Sequence, residues 1–159
     1  MAEFLTYRLG GEEYAVEILK VQEIRRYESP TAIANAPAFL RGVINLRGTI
    51  VPIVDLRVKF DKEAKCDEFT VVIILSMAGR VTGIVVDAVS DVLALAAEQI
   101  RPAPQFAESL GAKFITGLGI ADGRMLILTD VEQLVSGAVL GLSAARGSAA
   151  SGAAQGSPS

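Results

Sequence analysis

The side chains of this chain that could carry acid–base chemistry are carboxylates, because the sequence contains no histidine. Glu12-Glu13 follows two glycines, and Asp87 and Asp91 lie four positions apart. A pair of carboxylates acts as general acid and base only when both groups face one substrate. Glu12-Glu13 has the pattern of a solvated hairpin tip, and the valines beside Asp91 favour extended backbone. We therefore predict neither pair to be catalytic.

Motifs for metals, phosphates and nucleophiles are also incomplete. The chain has no Asp-x-Asp-x-Asp loop that would converge several oxygens on a cation. Gly117-Leu118-Gly119 lacks the third glycine of a dinucleotide fingerprint and the Gly-Lys-Ser/Thr ending of a phosphate loop, so we interpret it as a bulge or turn. Cys66 has acidic neighbours, which do not favour its thiolate. The sequence thus predicts a protein that is not an enzyme and has no cofactor or metal.

Composition restricts the partners and the compartment. With 51% apolar residues in 159 and no tryptophan, the core must be built from Val, Ile, Leu and Ala. The net charge is -3 and no basic block indicates nucleic acid or an anionic membrane surface. One cysteine fits a reducing compartment, and neither a signal peptide nor a run long enough to span a bilayer is visible. We expect a cytoplasmic protein without direct membrane insertion.

The segments that must position any site are mainly strands. Residues 3–9 alternate with period two, and residues 69–75 form a β-branched run that is typical of a strand buried on both faces. Asp122-Gly123 suits a two-residue hairpin loop. Pro52 cannot donate a ladder hydrogen bond, so its strand is predicted to be bulged or at an edge. Further strands are predicted at 14–18, 49–55, 81–86, 113–120 and 124–129, and short helical turns at 18–25, 37–40 and 131–135.

Eight to ten short strands with little helix predict β-barrels or a sandwich. The charged segment 60–68 is a plausible seam between two β units. The segment 143–159 is almost entirely Ala, Gly and Ser, and it lacks the large apolar residues needed to offset the entropy of ordering. We predict a disordered tail there.

Three segments place polar groups amid apolar strands: 19–25, 40–56 and 83–93. In this order and spacing they resemble the CheW family of chemotaxis coupling proteins. The most specific part is Gly-Val-x-Asn-Leu-Arg-Gly-x-Ile-x-Pro-x-Val-Asp-Leu at 42–56. The resemblance runs from Phe4 to Leu134 and includes 22–25, 33–39 and 97–104, so only the Ala/Gly/Ser tail is unmatched.

The resemblance implies an all-β fold of two intertwined SH3-like five-stranded β-barrel subdomains with short helical turns. These barrels would fill a domain of residues 1–142, with the seam near 60–68. It also implies a function, namely coupling the histidine kinase CheA to the cytoplasmic tips of chemoreceptors, so that receptor occupancy controls autophosphorylation. Such a protein is recruited to membrane-associated receptor arrays and does no chemistry itself.

Receptor-binding positions are implied at Val21, Glu23, Arg47, Val89 and Val92, around a groove between the barrels. An amphipathic helix docks apolar contacts into such a groove. Core packing is the alternative for Val89 and Val92, because an extended strand separates residues three apart onto opposite faces. For the two charged residues the alternatives are simple surface positions. Glu23 by itself is typical of a solvated surface charge, and Arg47 is typical of a cation at the corner of a hairpin.

Contacts to the regulatory domain of CheA are implied at Ile18, Gly42 and Phe106, at the outer ends of the barrels. Ile18 could equally belong to the core, and Gly42 could be required only by its backbone conformation. Phe106 lies between Pro104 and Ala107 in a polar, Pro-rich loop, which suits an exposed aromatic anchor.

Other functions compete with this one. A CheW-like coupler could serve a surface-sensing or motility kinase pathway. A detached kinase regulatory domain and a receiver-fused relative are disfavoured, because no ATP-binding segment precedes the match and no phospho-acceptor domain follows it. A small-ligand-binding β-barrel would need convergent titratable groups in a pocket, and the sequence shows none with suitable spacing.

Overall fold

The computed structural model describes residues 2–59, 62–77, 79–102 and 115–130. Within these ranges the β-branched and alternating patterns form eleven strands, a four-residue α-helix and two 3-10 turns at Ile18–Lys20 and Ala97–Gln99. Phe106, the turn expected at 131–135 and the tail expected at 143–159 lie outside the described residues. The elements are β1 (Ala2–Leu9), β2 (Glu12–Glu17), β3 (Val21–Arg26), β4 (Leu40–Leu46), β5 (Thr49–Asp55), α1 (Leu56–Lys59), β6 (Val71–Met77), β7 (Arg80–Val86), β8 (Ala88–Leu95), β9 (Ile100–Pro102), β10 (Ile115–Ala121) and β11 (Arg124–Thr129).

The strands form two sheets that exchange strands with each other. Sheet 1 has the order β8-β1-β2-β11-β10-β9, and sheet 2 has the order β3-β6-β7-β5-β4. β3 follows the β1–β2 hairpin in the chain but pairs with β6 in sheet 2. β8 follows the β6–β7 hairpin but pairs with β1 in sheet 1. This exchange is the intertwining that the family resemblance implies.

Each sheet curves so that strands at or near its two ends approach each other. In sheet 2, Thr31 beyond the end of β3 forms an antiparallel bridge with Val43 on β4. In sheet 1, β8 and β10 pack closely, since a Cβ added to Gly119 would lie 2.7 Å from Cδ1 of Leu95. Both sheets are therefore described as barrels, barrel 1 and barrel 2.

Three apolar cores follow from this arrangement. Phe4, Ala15, Leu126 and other residues fill barrel 1, and Val51, Ile53 and others fill barrel 2. A third cluster, the interface core, contains side chains from both sheets and joins them. Its buried members are Leu5, Tyr7, Leu9, Tyr14, Val16, Leu40, Val54, Leu56, Ile73, Leu75, Ile84 and Val86. Each such side chain contributes about 1.5–3 kcal/mol when fully buried, so the barrels stabilise one another.

Several expectations need correction. Sheet 1 has a sixth strand, the three-residue β9, in addition to the expected five. Pro52 does not lie on an edge strand, because β5 pairs with both β4 and β7, although the β4–β5 pairing is bulged at Leu40/Gly42. The helical turn predicted within 18–25 is a single 3-10 turn, after which β3 begins. The residues 37–40, where a short helix was predicted, form a turn that leads into β4.

Candidate protein-docking surface

Val89 and Val92 share one face of β8, contrary to the alternation expected of a regular strand. Val89 pairs with Tyr7 and Val92 with Leu5, so three steps along β8 oppose two steps along β1. This β-bulge restores a common orientation for residues three apart. Their partners Leu5 and Tyr7 belong to the interface core. Both valines therefore point to the side of the sheet where the two barrels meet.

The bulge is held by a buried hydroxyl. Thr6 is fully buried, and its Oγ1 accepts the backbone N–H of Asp91 at 3.0 Å. The same hydroxyl donates toward the Asp91 carbonyl oxygen at 3.1 Å and carboxylate Oδ1 at 2.5 Å. The polar atoms of Asp91 are thus satisfied within barrel 1, and the extra residue of β8 has a defined position.

Asp91 is also part of a charge cluster on Arg124. The guanidinium donates to Glu13 Oε2 at 2.7 Å and to Asp91 Oδ2 at 3.0 Å. Hydrogen bonds from Arg124 lower the pKa of both carboxyl groups below the ordinary range. Glu13 is accordingly not the solvated hairpin-tip charge that its position after two glycines suggested, since its side chain is only 16% exposed.

Glu23 and Arg47 form an ion pair across the closure of barrel 2. Arg47-Gly48 is a two-residue hairpin loop in which both residues have positive φ, 51° and 89°, as a type I′ turn requires. Asn45 Oδ1 accepts the Gly48 N–H at 2.7 Å and fixes the turn. Arg47 Nη2 then reaches Glu23 Oε2 on β3 at 2.5 Å. Both charged positions implied by the resemblance are therefore brought together.

Val21 lies on the same strand as Glu23 and packs against the interface core, as do Ile18 and Val89. Glu23 pairs with Ile74 of the barrel 2 core, so it faces the other side of β3 from Val21, whose partner Leu75 belongs to the interface core. The structure thus brings Val21, Val89 and Val92 to the region where the barrels meet, with the Glu23–Arg47 pair on the barrel 2 side. Val92 is 49% exposed, which leaves much of its apolar surface available to another molecule. Partly exposed apolar side chains, together with a partly exposed charge pair that includes a residue of β3, are typical of a protein-docking surface.

Two of the implied kinase contacts have structural roles in the described residues. Gly42 has φ of 144°, and a Cβ at that position would lie 2.0 Å from the carbonyl oxygen of Thr31. Glycine is therefore required for the Thr31–Val43 bridge that closes barrel 2. Ile18 packs partly against the interface core, which agrees with the alternative interpretation of that residue.

A buried charge network that the sequence interpretation missed lies where the chain leaves β5. Arg57 is fully buried and its side chain donates two hydrogen bonds to Asp55, Nε–Oδ1 at 2.9 Å and Nη2–Oδ2 at 3.0 Å. It also donates to the Lys65 carbonyl oxygen at 2.8 Å and to Asp87 Oδ1 at 3.3 Å. Burial alone would raise the pKa of Asp55, but the hydrogen bonds from Arg57 and Arg41 lower it.

Asp87 extends this network into sheet 1. Its Oδ2 accepts the Gly10 N–H at 2.8 Å, and its own N–H donates to the Arg8 carbonyl oxygen at 3.0 Å. Asp55, Arg57 and Asp87 therefore connect β5, the connector after α1 and the β1–β2 hairpin. The signal in the sequence was a pair of opposite charges, Asp55 and Arg57, on either side of Leu56 in an otherwise apolar segment.

Within the described ranges, other chemistry has little support. No group of three Cys, Asp or Glu side chains is placed to hold a metal ion. A cavity of about 130 Å³ at the mouth of barrel 2 is lined by Arg25, Arg26, Glu28 and Asn45 with three apolar residues. It is smaller than the 300–1,000 Å³ of typical ligand pockets. No helix in the described part of the chain is long and apolar enough to cross a membrane.

The fold and the site define a class of protein, a scaffold or adaptor made of two strand-exchanged β-barrels. Comparison with known proteins supplies the family. The model for the CheW-like domain matches residues 3–139. The chain belongs to the CheW family of chemotaxis coupling proteins, which confirms the expected family, the all-β fold of two subdomains and the general role of a chemotaxis coupling scaffold.

Individual relatives agree. The chain is 62% identical to the chemotaxis protein CheW of Klebsiella aerogenes over 135 residues, which cover 84% of this chain and 81% of that protein. It is 38% identical over 135 residues to a probable chemotaxis protein CheW of Rhizobium etli, covering 84% and 87%. Among solved structures, the scaffolding protein TtCheW from Thermoanaerobacter tengcongensis aligns with a TM-score of 0.72 and 30% identity, covering 80% of this chain and 88% of that one.

Proposed function

We propose that this protein links the histidine kinase CheA to the cytoplasmic tips of chemoreceptors, and that receptors dock on the surface formed by Val21, Glu23, Arg47, Val89 and Val92. The observation that carries the proposal is the bulge in β8, which turns both valines of that strand toward the meeting line of the barrels. Without it, one of the two would face the opposite side of the sheet.

The chemistry of this surface suits a helical partner. The valines provide apolar contacts, and the Glu23–Arg47 pair provides one charge of each sign on β3 and the β4–β5 turn. Partly exposed charges at the rim of an interface orient a partner and exclude wrong ones more than they add affinity. In this proposal the protein works in the cytoplasm, at receptor arrays, and transmits state by contact while phosphoryl transfer stays in the kinase.

The kinase contact is proposed at the outer ends of the barrels, with Phe106 as the aromatic anchor and Ile18 and Gly42 at or near the same surfaces. Because Gly42 closes barrel 2 and Ile18 packs on the interface core, their replacement would perturb folding as well as binding. Phe106 is therefore the more informative position for an experiment.

The proposal is tested with two single variants and two partners. Arg47→Glu places a second carboxylate beside Glu23, and we expect it to weaken binding of a receptor signalling fragment by about tenfold. Phe106→Ser should weaken binding of the CheA regulatory domain and leave receptor binding unchanged. Calorimetric titration of each variant against each partner measures both effects.

The informative result is that each variant loses binding to one partner and keeps binding to the other. Arg47→Glu is expected to bind the kinase domain normally, because the 66% exposed Arg47 side chain contributes little to folding. A folded Arg47→Glu variant that binds the receptor fragment as well as the unmodified protein would refute the docking surface. Loss of both partners by either variant would indicate misfolding and would remove support for separate surfaces.

A further inference from the structure

The cavity at the mouth of barrel 2 has an apolar floor with a cation above it. Ile53 and Val72, which line the cavity, belong to the core of barrel 2, and Ile44 packs against that core. Arg25, which also lines the cavity, pairs with Val72 across β3 and β6. Residues directly opposite each other on neighbouring strands share one face of a sheet. The Arg25 side chain therefore leaves β3 on the side that faces the core of barrel 2.

Arg25 differs from the other polar residues on this side of the strand. Glu23, two residues before it, is paired with Arg47, and Tyr27, two residues after it, packs against the core of barrel 2. Within the described part of the chain, the half-buried guanidinium of Arg25 forms neither an ion pair nor a hydrogen bond. A cation that is partly removed from water and has no protein partner is stabilised by an anion bound beside it.

The rim of the cavity adds further polar groups. Arg26 and Glu28 line it, both are exposed, and neither is paired with another of the described residues. Asn45 also lines it, and because its Oδ1 accepts the Gly48 N–H, its NH2 group is available as a donor. The cavity thus has two cations, one carboxylate and one amide donor around an apolar floor.

The size and the shape of these groups restrict the ligand. The cavity volume of about 130 Å³ is close to the roughly 150 Å³ of a protein cavity that accepts benzene, so a ligand of about six to eight non-hydrogen atoms fits. A carboxylate matches the planar guanidinium of Arg25 with two parallel hydrogen bonds. A short branched hydrocarbon group matches the aliphatic floor. The combination defines a short branched-chain carboxylate.

We propose that barrel 2 binds a short branched-chain carboxylate, with the carboxylate on Arg25 and the hydrocarbon tail on Ile44, Ile53 and Val72. Two compounds carry this chemistry. Isovalerate is the free acid, and valine is the same acid with an α-amino group, which the Glu28 carboxylate would accept.

This site is distinct from the valines of the proposed receptor-docking surface. Val21 pairs with Leu75 of the interface core, so it lies on the other side of β3 from Arg25. The inference therefore does not rest on the proposed function, and its failure would leave that function untouched.

The experiment titrates the full chain with isovalerate and with valine at pH 7, by calorimetry and by NMR. We expect saturable binding of at least one of them with a Kd of about 1 mM. Arg25→Gln should weaken that binding about tenfold or more, because it removes charge-assisted hydrogen bonds. Arg80→Gln is the matched control, since Arg80 is exposed at the other end of the β6–β7 hairpin from Val72. Without ligand, both variants should melt at the temperature of the unmodified protein.

Two comparisons identify which part of the ligand is recognised. Acetate lacks the branched tail and should bind at least about tenfold more weakly than isovalerate, because it leaves the apolar floor uncovered. Tighter binding of valine than of isovalerate, with the difference lost in Glu28→Gln, would identify an amino-acid site. Tighter binding of isovalerate, strengthened further in Glu28→Gln, would identify a site for the free acid.

Three results would overturn the inference. The first is the absence of saturable binding of either compound up to about 20 mM. The second is equal affinity of Arg25→Gln and Arg80→Gln for the ligand, which would exclude Arg25 as the carboxylate partner. The third is binding of acetate as tight as that of isovalerate, which would exclude the apolar floor.

Discussion

Replacing Arg57 with methionine should destabilise the protein strongly, because the change leaves a buried carboxylate without its main partner. Asp55 is fully buried and receives two hydrogen bonds from the Arg57 side chain, which the substitution removes. The Arg57 backbone N–H, at 3.0 Å, and the Arg41 side chain, at 2.9 Å, remain as its partners. Breaking a buried ion pair by removing one member costs about 3–5 kcal/mol. Since Arg41 still pairs with Asp55, we expect a loss near the lower end, about 3 kcal/mol.

Urea unfolding at pH 7 measures this loss. The matched control is the double variant Asp55→Leu/Arg57→Met, which removes the charge as well as its partner and should recover at least half of the stability. Arg41, whose side chain is 34% exposed, can reach water in that variant. Recovery would show that the penalty comes from the stranded carboxylate and not from lost packing.

The loss should also depend on pH. Arg57 and Arg41 lower the pKa of Asp55 in the folded protein, so their stabilisation is present above the ordinary carboxyl pKa of about 4 and is lost as pH falls below it. The difference between the unmodified protein and Arg57→Met should therefore shrink as pH is lowered from about 7 to about 3. A loss under about 1 kcal/mol at pH 7, or one that is independent of pH, would refute this account of the network.

Two further predictions concern the closure of barrel 2 at Gly42 and the charge cluster on Arg124 in barrel 1. Gly42→Ala should cost about 2 kcal/mol or more, because its Cβ would collide with the Thr31 carbonyl oxygen. Gly48→Ala meets open space, so that only its positive φ of 89° causes strain, and it should cost less. Equal melting temperatures of the two variants would contradict this prediction. Arg124→Gln should cost about 1 kcal/mol at pH 7, since the ion pairs are partly exposed. The loss of unfolding free energy in Arg124→Gln, measured with denaturant, should become smaller below about pH 4. Arg124 lowers the pKa of Glu13 and Asp91 in the folded protein, and the stability that follows from these lowered pKa values is lost as the carboxyl groups become protonated. A loss that does not change with pH would contradict this prediction.

Local interactions explain what could be predicted of the fold. The Asp122-Gly123 hairpin, the strand around residues 49–55 and the buried strand around 69–75 follow from turn chemistry and from the period of the apolar residues. The positions of the bulges could not be predicted, because a bulge is a property of the register between two strands and not of either strand alone.

In the candidate site, too, some residues could be predicted from the sequence and others only from the structure. The resemblance to the CheW family supplied Glu23 and Arg47 as candidates, and the structure places them in one ion pair. It did not supply the network around Arg57, where the side chain pairs with Asp87 thirty residues away in the chain.

The sequence by itself determined that this is an all-β chain without histidine, with hairpin turns at defined glycines and with the motif of a chemotaxis coupling family. The tertiary structure decided which way the apolar side chains of β3 and β8 face and which charges are paired. The physical reason is distance along the chain, since the hydroxyl that holds the β8 bulge, that of Thr6, lies 85 residues from Asp91. Local propensity specifies strands and turns, whereas only the packed barrels bring such partners within hydrogen-bonding range.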